Sequence, residues 1–153
     1  MTECVEAGAR LVNVSAALSD LPSAQGQRLL QRALDCAAHR GAIVVAACDR
    51  RGRPLGGSNV CASIGRRGLR APGSSVTSLC AEGGVVASSG TSVAAPFVTG
   101  AIALVWSLFP GATAGQLKEA VTRAHRITRA SLVPPLLNAW AIYTTMGTPD
   151  VAG

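Results

Sequence analysis

Ser88-Ser89-Gly90-Thr91-Ser92-Val93-Ala94-Ala95-Pro96-Phe97-Val98-Thr99-Gly100 runs without a break into Ala101-Ile102-Ala103-Leu104-Val105-Trp106-Ser107-Leu108-Phe109. Small, flexible residues lead directly into a long apolar run, so a hydroxyl stands where a loop becomes a buried helix. The first backbone N–H groups of a helix lack intrahelical acceptors, and the helix dipole favours negative charge in front of them. A serine there can attack a carbonyl while neighbouring N–H groups hold the resulting oxyanion. Spacing alone leaves a second reading open, because Ser and Thr at a helix start also serve as N-caps. The hydrolase elbow G-x-S-x-G is not matched, since Ala94 stands in place of its last glycine.

Upstream, Ala9–Ser15 is a short apolar run suited to a buried parallel strand, and Gln27–Arg40 carries a helical stripe of Leu29, Leu30, Ala33, Leu34, Ala37 and Ala38. His39 and Arg40 followed by Gly41 form a helix C-terminal signature, so His39 reads as cap and dipole chemistry rather than as a base. Ala42–Cys48 is a second buried strand ending in Asp49-Arg50-Arg51-Gly52. Strand, helix, strand implies a parallel sheet with flanking helices, with the ligand site beyond the carboxyl ends of the strands. Short strands between turns follow at Asn59–Ile64, Arg70–Gly73, Ser75–Cys80 and Val85–Ala87. The apolar run after Ser92 reads as a central helix surrounded on all sides. Thr113-Ala114-Gly115-Gln116 has the form of a capping box opening a helix over 114–124, and His125 in a basic segment reads as exposed. Leu136–Tyr143 reads as a last short helix, with a frayed tail from Thr144 to Gly153. The domain is accordingly drawn over 1–145, with 146–153 as tail.

At 153 residues the chain has room for one cored domain. It is 48% hydrophobic, 14% charged and 3% aromatic with 17 Gly, a make-up that excludes disorder and suits a tightly packed α/β protein. The net charge of +6 raises a nucleic-acid partner, and two arginine clusters stand out, Arg50-Arg51-Arg53 and Arg66-Arg67-Arg70. No aromatic residue interleaves with them and no recognition motif accompanies them, so they read as solvated loop charge. Five cysteines, never spaced C-x-x-C, offer neither a zinc site nor a disulfide framework. No cofactor or metal is expected. The start of the sequence has neither a charged n-region nor an apolar h-region, and the run from Val93 to Phe109 holds Pro96, Thr99, Gly100 and Ser107. A cytoplasmic setting with no membrane partner is the expectation.

Gly90-Thr91-Ser92-Val93-Ala94-Ala95-Pro96 resembles the serine motif of the subtilisin-like proteases, G-T-S-x-A-x-P, and Phe97-Val98-Thr99-Gly100 continues as that family does. The resemblance implies a subtilisin-like three-layer α/β architecture, peptide or protein substrates, and Ser92 as nucleophile. Gly8–Ser15 is similar to the family's strand ending in N-x-S, which lines the substrate pocket, and Arg40–Gly52 is similar to its V-V-A-A-A-G-N-x-G segment. Carried over residue by residue, Ser15, Ala16, Ala17, Ala46, Ala47, Cys48, Gly90 and Thr91 are the implied substrate-binding positions. Asp49 then falls at the position of the oxyanion-hole Asn, and Cys48 at that of the preceding Gly. A carboxylate donates a hydrogen bond only when protonated, and Cys48 implies a narrower pocket than the family has.

The family's triad also needs an Asp in a D-[ST]-G context and a His in an H-G-T context, both ahead of the serine. Neither motif occurs in these 153 residues. The resemblance covers about residues 3–143 and corresponds to the C-terminal half of the family's domain, which implies a truncated or split protease whose Asp and His come from a separate chain. Two other classes are kept beside it: a non-catalytic peptide-binding module on the same fold, in which the strand ending at Ser15 pairs with extended peptides, and a basic nucleic-acid-binding protein.

Overall fold

The computed structural model describes residues 7–8, 11, 13, 23–26, 28–29, 32, 36, 42–56, 65, 68–125 and 131–147. Two strands, β1 (Val45–Cys48) and β2 (Leu69–Pro72), pair in parallel with Val45 opposite Leu69 and Cys48 opposite Pro72. The parallel arrangement continues beyond β2, where Arg70 N–H donates to the Pro135 carbonyl and Leu137 N–H donates to that of Arg70, each at 2.8 Å. β1 has the small, apolar composition of a strand covered on both faces: Ala46 and Ala47 are 0% exposed and Cys48 1%. Against β1 and β2 lies α1 (Thr91–Leu108), which turns Ala94, Val98, Ile102, Val105 and Trp106 inward. These residues recur at the three- and four-residue intervals of one helical stripe.

Helix α2 (Ala114–Ala124) begins with the capping box read from the sequence. Gln116 N–H donates to Thr113 Oγ1 at 3.2 Å, and Thr113 N–H donates to Gln116 Oε1 at 2.8 Å. Its inward face is Leu117, Ala120 and Val121, which join the same core as α1. α2 packs in turn on α3 (Ala139–Met146), whose Asn138 side chain accepts from Ala141 N–H at 2.9 Å. Strands β3 (Val76–Leu79) and β4 (Val85–Ser88) form an antiparallel hairpin, turned by Gly83 and Gly84 at φ of 88° and 87°.

Several expectations need correction. The last helix starts at Ala139 rather than Leu136, because Leu136 is held as extended chain beside Arg70. It also runs to Met146, so Thr144–Met146 are helical rather than frayed. The strand expected over Arg70–Gly73 is found as β2, but Arg70 is not solvated charge: it is partly buried, and its guanidinium donates to the Pro134 carbonyl. α1 is not enclosed on all sides, since Leu104 is 71% and Leu108 51% exposed. The expected strand over 9–15 lies outside the described residues apart from Leu11 and Asn13, as do Asn59–Ile64 and residues 148–153. Of the expected helix over 27–40, residues 28, 29, 32 and 36 are described and helical.

His125 is the clearest correction. Instead of being exposed it is buried, 9% accessible, between α2 and α3. Asn138 N–H donates to its Nε2 at 2.8 Å, so Nε2 carries no proton, and Nδ1 donates to the Val121 carbonyl at 2.8 Å. The neutral ring thus closes the last turn of α2 and fixes the entry into α3. His125→Phe fills the space but leaves both backbone groups without a partner. Urea denaturation is expected to show a loss of about 1–3 kcal/mol, whereas a loss below about 0.5 kcal/mol would mean that water replaces both bonds.

Candidate active site

The start of α1 is set by two glycines. Gly90, the residue ahead of the helix, has φ 133° and ψ 176°, a conformation open in practice to glycine alone. Its N–H donates to the Gly73 carbonyl at 2.8 Å, and Gly73 N–H donates to the Cys48 carbonyl at 3.0 Å. Gly73 therefore stitches together the ends of β1 and β2 and the loop before the helix. A Cβ on Gly73 would lie 2.6 Å from Ala47 Cβ and 2.7 Å from Gly90 O, so no other residue fits without moving one of them. A second tie holds the same loop: Ser75 N–H donates to Ser89 Oγ at 2.8 Å.

Ser92 comes two residues after Gly90, in the first turn of α1, and is exposed. The N-cap reading left open by the sequence is not realised, because Gly90 occupies the cap position and no side chain caps the helix. Among the described residues the Ser92 hydroxyl has no hydrogen-bond partner. The Gly90 carbonyl accepts from Val93 and Ala94 N–H at 3.2 Å, while the N–H groups of Thr91 and Ser92 precede the first intrahelical bond. With no acidic side chain in that turn, a hydroxyl and two backbone donors share the positive end of the dipole.

Asp49 sits at the end of β1 and is bound into its own turn. Its Oδ1 accepts from Arg51 N–H at 2.8 Å and Arg53 N–H at 2.9 Å, and its Oδ2 accepts from Arg53 Nε at 2.8 Å. These bonds, that from Arg53 N–H first, hold its carboxyl below the ordinary value of 3.8, so the group is an ionised acceptor and not a donor. Ala46, Ala47 and Cys48 lie in the core with their side chains covered, so a substrate could meet only their backbone. Burial also pushes the Cys48 thiol up from 9.0, and its side chain is withdrawn inward. Ser15, Ala16 and Ala17 lie outside the described residues, as does His39. His125, the other histidine, has both ring nitrogens engaged with backbone.

The structure thus brings together Gly90, Thr91, Ser92 and the end of β1 by way of Gly73, which sequence reasoning did not assign to the site. The signal was present in Ala71-Pro72-Gly73, a step read as part of a strand and as similar to the family, but not as part of the site. No spacing rule says that a glycine there contacts a loop seventeen residues later.

The sequence profile of the subtilase family, peptidase S8, matches residues 7–139. The chain belongs to the subtilase family. Among solved structures, the self-cleaved protease domain of PatA is similar with a TM-score of 0.72 and 25% identity, over 95% of this chain and 64% of that one. The prenylagaramide maturation protease PagA shares the fold with a TM-score of 0.68 and 23% identity, over 95% of this chain and 65% of that one. The PatG macrocyclase, solved in complex with peptide, shares the fold with a TM-score of 0.67 and 20% identity, over 95% and 55%. The subtilase chain spans less than two thirds of each of these structures. No curated protein sequence matches it.

Two outcomes follow from the geometry. Gly90→Ala forces a side chain into the glycine-only region and is expected to lower stability by about 1–3 kcal/mol, read by urea denaturation; an unchanged midpoint would show that the loop has another conformation. Asp49 has a folded-state pKa below its unfolded value, so its stabilisation is complete above that unfolded value and lost as pH falls through the folded one. The stability difference between wild type and Asp49→Ala should therefore shrink on acidification from about pH 6 to about pH 2. A difference that stays constant would place the effect in the backbone turn rather than in the charge.

Proposed function

We propose that the chain carries the nucleophile half of a subtilase peptidase site, with Ser92 attacking the scissile carbonyl of a peptide. The carrying observation is the Ser92 hydroxyl itself, exposed at the positive end of α1 and free of capping duty. The 25% identity with the PatA protease domain supports the same reaction class. A His from a polypeptide bearing the H-G-T and D-[ST]-G motifs takes the Ser92 proton as the Oγ–C bond forms. That His then returns the proton to the departing amine as the peptide C–N bond breaks, and water hydrolyses the acyl-serine by the same route reversed. The Ser92 N–H and the helix dipole supply the oxyanion site. Ser15, Ala16, Ala17 and the backbone of Ala46–Cys48, with Gly90 and Thr91, bind the substrate chain.

Asp49 does not act as the missing side-chain donor, because it is ionised. Loss of one such donor costs about 10²–10³ in kcat. A slow enzyme is therefore expected even when the base is supplied. The same feature favours a second reading, a peptide-binding module that retains the fold without turnover.

Fluorophosphonate labelling separates them. With a polypeptide carrying both motifs present, the chain should be labelled, and Ser92→Ala should abolish the label. Peptide binding without any label in that mixture would overturn the peptidase reading and leave the binding module.

A further inference from the structure

The turn that ends β1 is closed by backbone hydrogen bonds. Asp49 N–H donates to the Arg53 carbonyl and Gly52 N–H to the Asp49 carbonyl, each at 2.9 Å. The chain then runs back along β1, with Cys48 opposite Pro54 and Leu55 N–H donating to the Ala47 carbonyl at 2.9 Å. Arg50 and Arg51 occupy the tip of this turn, and both are exposed. The turn holds one acid, and its carboxylate is already engaged: Asp49 Oδ1 accepts from the Arg51 and Arg53 N–H groups, and Oδ2 from Arg53 Nε at 2.8 Å and Nη2 at 2.7 Å. Among the described residues neither Arg50 nor Arg51 makes an ion pair, so both charges stand uncompensated. Arg70 adds a third cation beneath them. Its Nη2 lies 3.7 Å from where a Cβ on Gly52 would sit, its Nε is buried without a hydrogen-bond partner, and its guanidinium is held by the Pro134 carbonyl rather than by a carboxylate.

This charge stands beside the candidate site. Gly73 joins the Cys48 carbonyl to Gly90 N–H, and Arg50 and Ser92 each lie two residues beyond one end of that connection, within about 8 Å of it by chain length. Both belong to the edge beyond the carboxyl ends of β1 and β2, where an α/β sheet binds its ligand. The first turn of α1 contributes no acid there, and its dipole is positive at that end. We propose that Arg50 and Arg51 select peptides that carry an acidic side chain beside the bond attacked by Ser92. The proposal rests on the peptidase reading above and names its substrate class. A guanidinium meets a carboxylate through two parallel N–H···O bonds, a match of shape as well as of charge. Two arginines on one hydrogen-bonded turn offer that match without a loop having to be ordered first. A basic side chain at the same place would be repelled.

A nucleic acid is the competing occupant of a basic turn. Its binding draws on phosphates spaced along a strand and on aromatic faces for the bases. Residues 49–53 contain no aromatic side chain, and the exposed Phe97 and Trp140 line a groove between α1 and α3 instead. Two cations at one point fit a single carboxylate better than a row of phosphates.

The test measures, by fluorescence anisotropy, the binding of the 153-residue chain to two dansyl-labelled peptide amides: an alanine pentapeptide with Glu at its centre, and the same peptide with Gln. At about 0.15 M salt, where charges more than about 8 Å away are screened, the Glu peptide should bind at least about fivefold more tightly, as two exposed ion pairs allow. Arg50→Gln and Arg51→Gln together should bring the two peptides to equal affinity. Lys118→Gln on α2, which removes a charge outside the turn, should leave the preference intact. The paired variant keeps the bond from Arg51 N–H to Asp49, so its circular dichroism should match the wild type. Failure of the Glu peptide to bind, equal binding of both peptides by the wild type, or a preference that survives the paired substitution would each overturn the proposal. So would an oligothymidylate of about twelve nucleotides that binds more tightly than the Glu peptide and is lost with the same two arginines. Fluorophosphonate labelling in the mixture with the motif-bearing polypeptide keeps the two readings apart. The Glu peptide should slow the labelling of Ser92 more than the Gln peptide does, and equal slowing would overturn the proposal. An arginine-dependent preference without any Ser92 label retains the acid recognition and rejects the peptidase, whereas Ser92 label with both peptides bound equally does the reverse.

Discussion

The hydrogen-bonded path from the Cys48 carbonyl through Gly73 to Gly90 N–H is the constraint on which the rest of the arrangement depends. It fixes three chain segments of unrelated local structure at one point: the end of a strand, the end of its neighbour, and the loop before a helix. Gly73 can make the connection because it has no Cβ to meet Ala47. Gly90 can complete it because only glycine accepts its dihedral angles without strain. The position of Ser92 is thereby settled by backbone rather than by its own side chain, which leaves the hydroxyl unspent. A serine that capped its helix would be structurally satisfied and chemically occupied.

Much of this fold was legible in the sequence, and the legible parts share a cause. The capping box at Thr113 and Gln116, the strand ending at Cys48 and the helix after Gly90 are all decided within a few residues. What was not legible depends on contacts between distant segments. Leu136 looks like the start of a helix because the run after it is apolar, but pairing with Arg70 holds it extended until Asn138 can cap. His125 looked solvated because arginines follow it, yet the Asn138 N–H and Val121 carbonyl draw its ring inward. Of the candidate site, the place of Ser92 at the start of its helix was readable from its motif. The role of Gly73 and the turning of Asp49 onto Arg53 were not, since both are set by tertiary geometry.

The two halves of α1 tell the same story from different sides. Its inner stripe, from Ala94 to Trp106, holds β1 and β2 and so supports the Gly73 stitch. Its outer stripe is equally apolar and has little to hold. Local sequence does not distinguish these faces, because both carry the same apolar residue types. Sequence therefore predicted a surrounded helix, and the structure shows one covered on its inner face, with Leu104 and Leu108 exposed on the other. The exposed apolar surface and the exposed Ser92 lie on one helix, a turn apart.

The most direct measurement is the second-order rate at which a fluorophosphonate modifies the isolated chain, followed by intact mass with the adduct mapped to its residue. A serine without a base loses about 10⁶ of a triad's rate. Modification of Ser92 in the isolated chain should accordingly be indistinguishable from that of other surface serines. A fast adduct on Ser92 alone, with no added polypeptide, would show that a base is already in place and would contradict the half-site.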